Sequence, residues 1–144
     1  MVKKGLHKGR GIGGLTTKVH AVVDGLGNPL HFLLSPGTRN DIVYAQEILA
    51  PFDLDGKKVL ADMGYDQETF CEYIRTRGGD PIIPSRICNR IQRNINIDEY
   101  KERHLVENLF QKLKNYRRFA TRYDKLDVHF ASVVNMAFIL IWLV

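Results

Sequence analysis

Hydrophobic and polar positions follow two different spacings along this 144-residue chain. Residues 15–24 are rich in β-branched side chains that partly alternate with polar ones, and residues 30–34 form a second apolar run after the turn sequence DGLGNP. Two such runs joined by a glycine-rich turn predict a β-hairpin. Residues 57–61 predict a further strand, and residues 80–84, DPIIP, predict a short edge strand because proline is tolerated at sheet edges.

Between these runs, apolar residues recur every three or four positions, as on one face of a helix. This spacing predicts helices over residues 40–52 and 66–77, where Asn40 or Asp41 can cap the first. A longer helix is predicted to reach Lys114 from Asn96, because Asn96 followed three residues later by Glu99 resembles a capping box. Strands that alternate with helices in this order predict an α/β fold.

The most apolar run lies at the end of the chain, where residues 130–134 and 136–144 are interrupted by few polar positions. The run is about fifteen residues long, whereas roughly 20 are needed to cross a bilayer. His129, Ser132 and Asn135 also recur through it at helical spacing. We therefore expect a buried core helix and no membrane partner.

The first fourteen residues, MVKKGLHKGRGIGG, are basic, rich in glycine and without apolar periodicity. They predict a glycine-rich arm without a strand, followed by one domain over residues 15–144. Gly9, Gly11 and Gly14 match the spacing G-x-G-x-x-G, but a dinucleotide-binding glycine motif follows a strand and opens a helix. Here the motif precedes a strand, which excludes that interpretation.

Charge and cysteine content narrow the choice of partner and compartment. The formal net charge is +5, and five arginines but one acid lie between Arg75 and Arg93. This balance favours a polyanionic partner, although ordinary solubility accounts for it equally well. Cys71 and Cys88 are far apart in sequence, so we expect two free thiols in a reducing cytoplasm rather than a disulfide or zinc site.

One helical face in the stretch YKERHLVENLFQKLK, residues 100–114, carries the candidate chemistry. At 100° per residue, several polar side chains lie within roughly 40° of Glu107. We call this set the polar stripe; its members are Tyr100, Arg103, Glu107, Gln111 and Lys114. The alternative is a solvated helix surface, on which Arg103 and Glu107 form an ordinary i,i+4 ion pair.

The spacing Y-x-x-R-x-x-x-E-x-x-x-x-x-x-K resembles the signature around the last acid of bacterial insertion-sequence transposases of the DDE class. The next residues, NYRRFATRYDKL, resemble the insertion-sequence-five type of that family. The run ADMGYD around Asp62 is similar to the context of the family's middle aspartate. The resemblance therefore covers nearly the whole chain, from GGLTTKVHAVVDGLGNP to the carboxyl terminus.

This resemblance implies a ribonuclease-H-like mixed sheet flanked by helices and divalent-metal phosphoryl transfer on double-stranded DNA. It implies that Asp62 and Glu107 are catalytic ligands of Mg²⁺ or Mn²⁺, since carboxylates hold such hard cations. DNA contacts are expected from four further residues: Tyr100, Arg103, Lys114 and Arg118. A homodimer would be compatible with this function.

The chain departs from the family pattern in its first acid. That residue ends the first, central strand of the sheet, before the hairpin, yet residues 1–14 contain no Asp or Glu. We therefore expect the carboxyl-terminal part of a transposase, which lacks this strand and acts with an upstream segment or with a full-length transposase. Two alternatives remain open: a non-catalytic, DNA-binding or inhibitory remnant, and an ordinary metal-dependent nuclease.

Overall fold

A computed structural model describes residues 2–7, 17–86, 93–122 and 124–143. The predicted hairpin is confirmed: β2 (Thr17–Val23) pairs antiparallel with β3 (Pro29–Pro36). Asp24 shapes the turn between them, since its Oδ1 accepts hydrogen bonds from the backbone N–H groups of Leu26 at 2.9 Å and Asn28 at 2.8 Å. Asp24 therefore stabilises the turn.

A strand that the sequence does not predict lies on the other side of the hairpin. β1 (Val2–His7) pairs antiparallel with β2, from Val2 opposite Val22 to His7 opposite Thr17. The prediction of an arm without a strand is therefore wrong over Val2–His7, while residues 8–16 lie outside the described part. The physical reason is that every residue of β2 is buried, so its backbone groups need partners on both edges.

A separate two-stranded sheet follows the hairpin. β4 (Lys58–Leu60) and β5 (Asp80–Ile82) pair in parallel, which confirms both predicted strands. The predicted helices before and after β4 are also confirmed, as α1 (Ile42–Leu49) and α2 (Glu68–Thr76). Parallel pairing places the carboxyl ends of β4 and β5 at the same edge.

The second half of the described chain is helical. It contains α3 (Ile97–Lys101), α4 (His104–Lys114), α5 (Arg117–Ala120) and α6 (Asp127–Trp142). The single helix predicted up to Lys114 is wrong, because the helix is interrupted at Glu102 and Arg103. Hydrogen bonds across the break span three residues, such as Arg103 N–H to Tyr100 O at 3.0 Å. The His104 ring contributes, since its Nδ1 donates to the Lys101 carbonyl at 2.8 Å.

The antiparallel sheet separates two hydrophobic clusters, because successive β2 side chains point to opposite faces. Val22 joins the cluster under α1 and α2. Val19, Ala21 and Val23 join the cluster under α4 and α6. The sheet therefore has helices on both faces, and the overall architecture is mixed α/β.

The last helix is amphipathic in part. Phe130, Val134, Ala137 and Phe138 of α6 are buried, as expected for a core helix. Several of its other apolar side chains face solvent, including Met136 and Trp142. Across the described ranges, no helix combines the length and apolarity needed to cross a bilayer.

Candidate active site

Asp62 stands where β4 ends and a short 3-10 turn, Met63–Tyr65, begins. Its half-buried side chain caps this turn, with Oδ1 accepting a hydrogen bond from the Gly64 N–H at 2.8 Å. A Cβ at position 64 would lie only 2.8 Å from Asp62 Oδ1. Glycine at 64 therefore lets the carboxylate fold back onto the turn, which fixes its orientation.

Three members of the polar stripe, Tyr100, Arg103 and Glu107, stay in contact despite the break in the helix. Arg103 Nη1 forms an ion pair with Glu107 Oε1 at 2.8 Å. The same guanidinium lies over the Tyr100 ring, 5.5 Å from its centroid. The tighter turn between α3 and α4 thus still stacks Tyr100, Arg103 and Glu107 in order.

An ion pair links β4, the strand that precedes Asp62, to α3, the helix that carries Tyr100. Lys58 at the start of β4 pairs with Glu99 of α3, Nζ to Oε1 2.8 Å. Burial raises the pKa of the Tyr100 phenol; Arg103 opposes this shift, and the Asp62 charge adds to it. Asp62 therefore lies within electrostatic reach of Tyr100.

Glu99 is used differently from the capping box that its spacing predicts. The Asn96 side chain does cap α3, because its Oδ1 accepts a hydrogen bond from Asp98 N–H at 3.0 Å. Glu99 instead contacts the Asn96 side-chain amide at 3.2 Å and the Lys58 ammonium. Glu99 therefore links the start of α3 to β4.

Two of the predicted DNA-binding residues lie apart from Tyr100, Arg103 and Glu107. Lys114 is exposed in the last turn of α4, seven residues beyond Glu107 and so about 10 Å along the helix. Arg118 lies on α5, where its Nη2 pairs with Asp124 Oδ1 at 2.9 Å. Within the described ranges, neither residue contacts Asp62 or Glu107.

A cluster of ion pairs that the sequence analysis did not predict holds the turn after Asp62. We call this cluster the clamp; its members are Asp66, Glu68, Arg86 and Arg93. The Asp66 side chain is 1% exposed and accepts hydrogen bonds from Arg93 Nη1 at 2.5 Å and Arg86 N–H at 2.6 Å. Arg93 Nη2 also reaches Glu68 Oε2 at 2.9 Å. These contacts fasten the segment after β5 to the segment after β4. The sequence analysis treated Asp66 only as a possible helix start.

A second polar cluster lies inside the domain, next to the turn Met63–Tyr65. Lys18 pairs with Asp41, Nζ to Oδ1 3.1 Å, and both side chains are nearly buried. Asp41 is at the N-cap position of α1 as expected, but its side chain makes no capping hydrogen bond there. His20 Nδ1 lies 3.2 Å from the Tyr65 hydroxyl. Burial raises the pKa of Tyr65, and the charges of Asp41 and Asp62 raise it further.

Among the residues that the structure describes, Asp62 and Glu107 belong to no complete set of metal ligands. In the part of the chain that the structure describes, no group of three His, Cys, Asp or Glu side chains is placed to hold a cation. The remaining positions, 1, 8–16, 87–92, 123 and 144, contain no Asp or Glu. Cys71 is buried and free, as expected, whereas Cys88 lies outside the described residues.

Comparison with known proteins assigns the family. The family model "Transposase DDE domain" matches residues 2–142. A protein of Brucella ovis, named as a transposase for insertion sequence element IS6501, is 35% identical over 90% of this chain and 99% of its own length. A protein of Burkholderia cepacia, named as a transposase for IS402, is 28% identical over 88% of this chain and 63% of its own length. No solved structure matches. The chain belongs to the DDE transposase family of bacterial insertion sequences.

Proposed function

We propose that this chain supplies the Asp62 and Glu107 carboxylates of a transposase that cuts and joins DNA at the ends of an insertion sequence. The observation that carries the proposal is the ion pair between Lys58 of β4 and Glu99 of α3, which links the strand that leads to Asp62 with the helix that carries Tyr100. The order of hairpin, helix, strand with Asp, helix, strand and helix with Glu supports a ribonuclease-H-like arrangement.

The side chains suit chemistry on a phosphodiester. Carboxylate oxygens are the ligands that Mg²⁺ and Mn²⁺ prefer, and such a cation supplies charge stabilisation for phosphoryl transfer. Arg103 aligns Glu107 through its ion pair and presents a charge that attracts phosphate. The half-buried Tyr100 ring and the Arg103 guanidinium that lies over it together offer a flat surface against which a nucleotide can stack.

The third carboxylate of the site comes from a segment outside these 144 residues. β1 occupies the place beside β2, but its sequence VKKGLH contains no acid. Asp24 is committed to its turn and Asp41 is paired with Lys18. A polypeptide encoded upstream of Met1, or a full-length transposase, would provide the acid and form mixed complexes with this chain.

Reconstitution tests the proposal. The chain alone should show no Mg²⁺-dependent cleavage of a plasmid carrying the element's ends, because two carboxylates hold the metal poorly. Addition of the upstream polypeptide, fused or in trans, should restore cleavage. Robust cleavage by the chain alone, lost on Asp62→Asn, would instead place the third ligand within it. Absence of cleavage in both preparations, with DNA binding retained, would favour the non-catalytic, inhibitory alternative.

A further inference from the structure

A cleft of about 450 Å³ lies beside the polar stripe, between the tip of the β2–β3 hairpin and α4. Its walls include the apolar side chains Leu26, Leu105 and Leu109, and its polar lining comes from one face of α4. The polar side chains are Asn108, Gln111, Lys112 and Asn115. None of the contacts described above for the candidate active site uses this cleft.

The hairpin tip is a fixed wall of the cleft. Two hydrogen bonds to Asp24 Oδ1 set the turn, and Leu26 at its tip is 83% exposed. Gly27 has a φ of +86°, and a Cβ there would lie 3.4 Å from Leu105 Cβ. Glycine thus provides both the backbone conformation and the close approach to α4.

All four polar side chains of the cleft are exposed, and within the described part of the chain none makes a side-chain hydrogen bond or ion pair. Three of them are amides and one is a lysine. Such side chains can also contact phosphates, but Asn and Gln can both donate to and accept from the edge of adenine, and Lys can donate to guanine. With three neutral amides and a single cation, the lining carries little charge for the DNA backbone and suits base edges.

The position of the cleft suits a duplex that also reaches Glu107. Gln111 belongs both to the cleft and to the polar stripe, so the two surfaces adjoin on α4. Asn108 and Asn115 are about 10 Å apart along the helix axis, which matches roughly three base steps of 3.4 Å. The major groove of B-DNA is wide enough to admit a helix.

We infer that this cleft reads base edges in duplex DNA next to the cleavage position, with Asn108 and Asn115 as sequence-reading side chains. The inference rests on the proposed DNA substrate and adds a second surface to it. Leu26 packs beside the bases as an apolar contact. Lys114 and Arg103 contribute affinity for any sequence, whereas the two asparagines contribute preference.

Selection from duplexes with a randomised central segment, using the full 144-residue chain, tests this inference. The wild-type chain should enrich a consensus sequence. It should then bind a duplex with this consensus more tightly than a duplex in which the consensus is scrambled, and the ratio of the two affinities measures its sequence preference. Asn108→Ala and Asn115→Ala should each reduce that affinity ratio roughly tenfold, with the salt dependence unchanged. Lys114→Ala should weaken binding to both duplexes equally and lower the salt slope by about one.

Gln46→Ala is the matched control, because Gln46 is an exposed amide on α1, which packs on the opposite face of the sheet. It should change neither affinity nor preference, and all variants should melt at the wild-type temperature. Unchanged preference in Asn108→Ala and Asn115→Ala would overturn the inference. Binding without any consensus, or no DNA binding by the wild-type chain, would also overturn it; in both cases the proposed function is tested separately, by the cleavage assay on the reconstituted transposase.

Discussion

Asp62→Asn and Glu107→Gln are each expected to abolish Mg²⁺-dependent cleavage by the reconstituted transposase while leaving DNA binding nearly unchanged. The expected loss is roughly a hundredfold or more, since even the outer-shell partners of a metal ligand contribute roughly 10- to 100-fold. Both substitutions keep side-chain volume, and asparagine retains an oxygen that can accept the Gly64 hydrogen bond. The measurement pairs a plasmid cleavage assay with a binding assay on the same preparations.

Glu102→Gln is the control for these variants, because Glu102 is an exposed carboxylate at the break between α3 and α4. It should leave cleavage at the wild-type rate. If Asp62→Asn retained full activity, the assignment of the β4 carboxylate to the site would be wrong. If all three variants lost DNA binding together, the effect would be structural rather than catalytic.

Asp66→Asn should produce the largest loss of stability. The Asp66 carboxylate is almost fully buried and accepts from two donors, Arg93 Nη1 and Arg86 N–H. An asparagine would turn an N–H₂ group toward one of these donors and leave the Arg93 charge without its main partner. Removal of one member of a buried ion pair costs about 3 to 5 kcal/mol. Because Arg93 keeps its contact with Glu68, we expect a loss near the lower end of this range, measured by denaturant unfolding at pH 7.

The pH dependence of this effect has a definite sign. Burial of the Asp66 carboxyl opposes ionisation, but hydrogen bonds from Arg86 and Arg93 outweigh it and lower the pKa. A lowered pKa in the folded state gives a contribution that is fully present above the unfolded value, about 3.9, and lost as the pH falls through the folded value. The stability difference between wild type and Asp66→Asn should therefore be constant from pH 7 to about pH 5 and shrink below about pH 4.

Glu68→Gln provides the matched control for the clamp. Glu68 contacts the same Arg93, but its side chain is 58% exposed. An exposed ion pair contributes about 0 to 1 kcal/mol, so this variant should unfold close to the wild type. Equal losses in Asp66→Asn and Glu68→Gln would contradict the role assigned to burial of the Asp66 carboxylate.

Local sequence chemistry predicted the parts of the fold that depend on neighbouring residues. The hairpin follows from β-branched runs joined by a turn that Asp24 stabilises through contacts two and four residues away. The position of Asp62 follows from a short apolar run and a glycine two residues later. Arg103 and Glu107 pair as their i,i+4 spacing predicts.

Features set by distant partners could not be predicted in the same way. Asp66 and Arg93 are 27 positions apart, and no spacing rule connects them. β1 forms because the buried β2 needs backbone partners, which side-chain patterns do not reveal. One usable signal was overlooked: Lys18 interrupts a buried strand, and a buried ammonium requires an acid such as Asp41.

The central claim is that the carboxylates of Asp62 and Glu107 share a divalent cation. Crystals of the reconstituted transposase with end DNA and Mn²⁺ would locate this cation by its anomalous scattering. The account predicts a peak with one oxygen of each carboxylate about 2.1 Å away, the distance for an Mg²⁺ ligand. Manganese bound elsewhere, with Asp62 and Glu107 on opposite faces of the sheet or too far apart to share an ion, would contradict it.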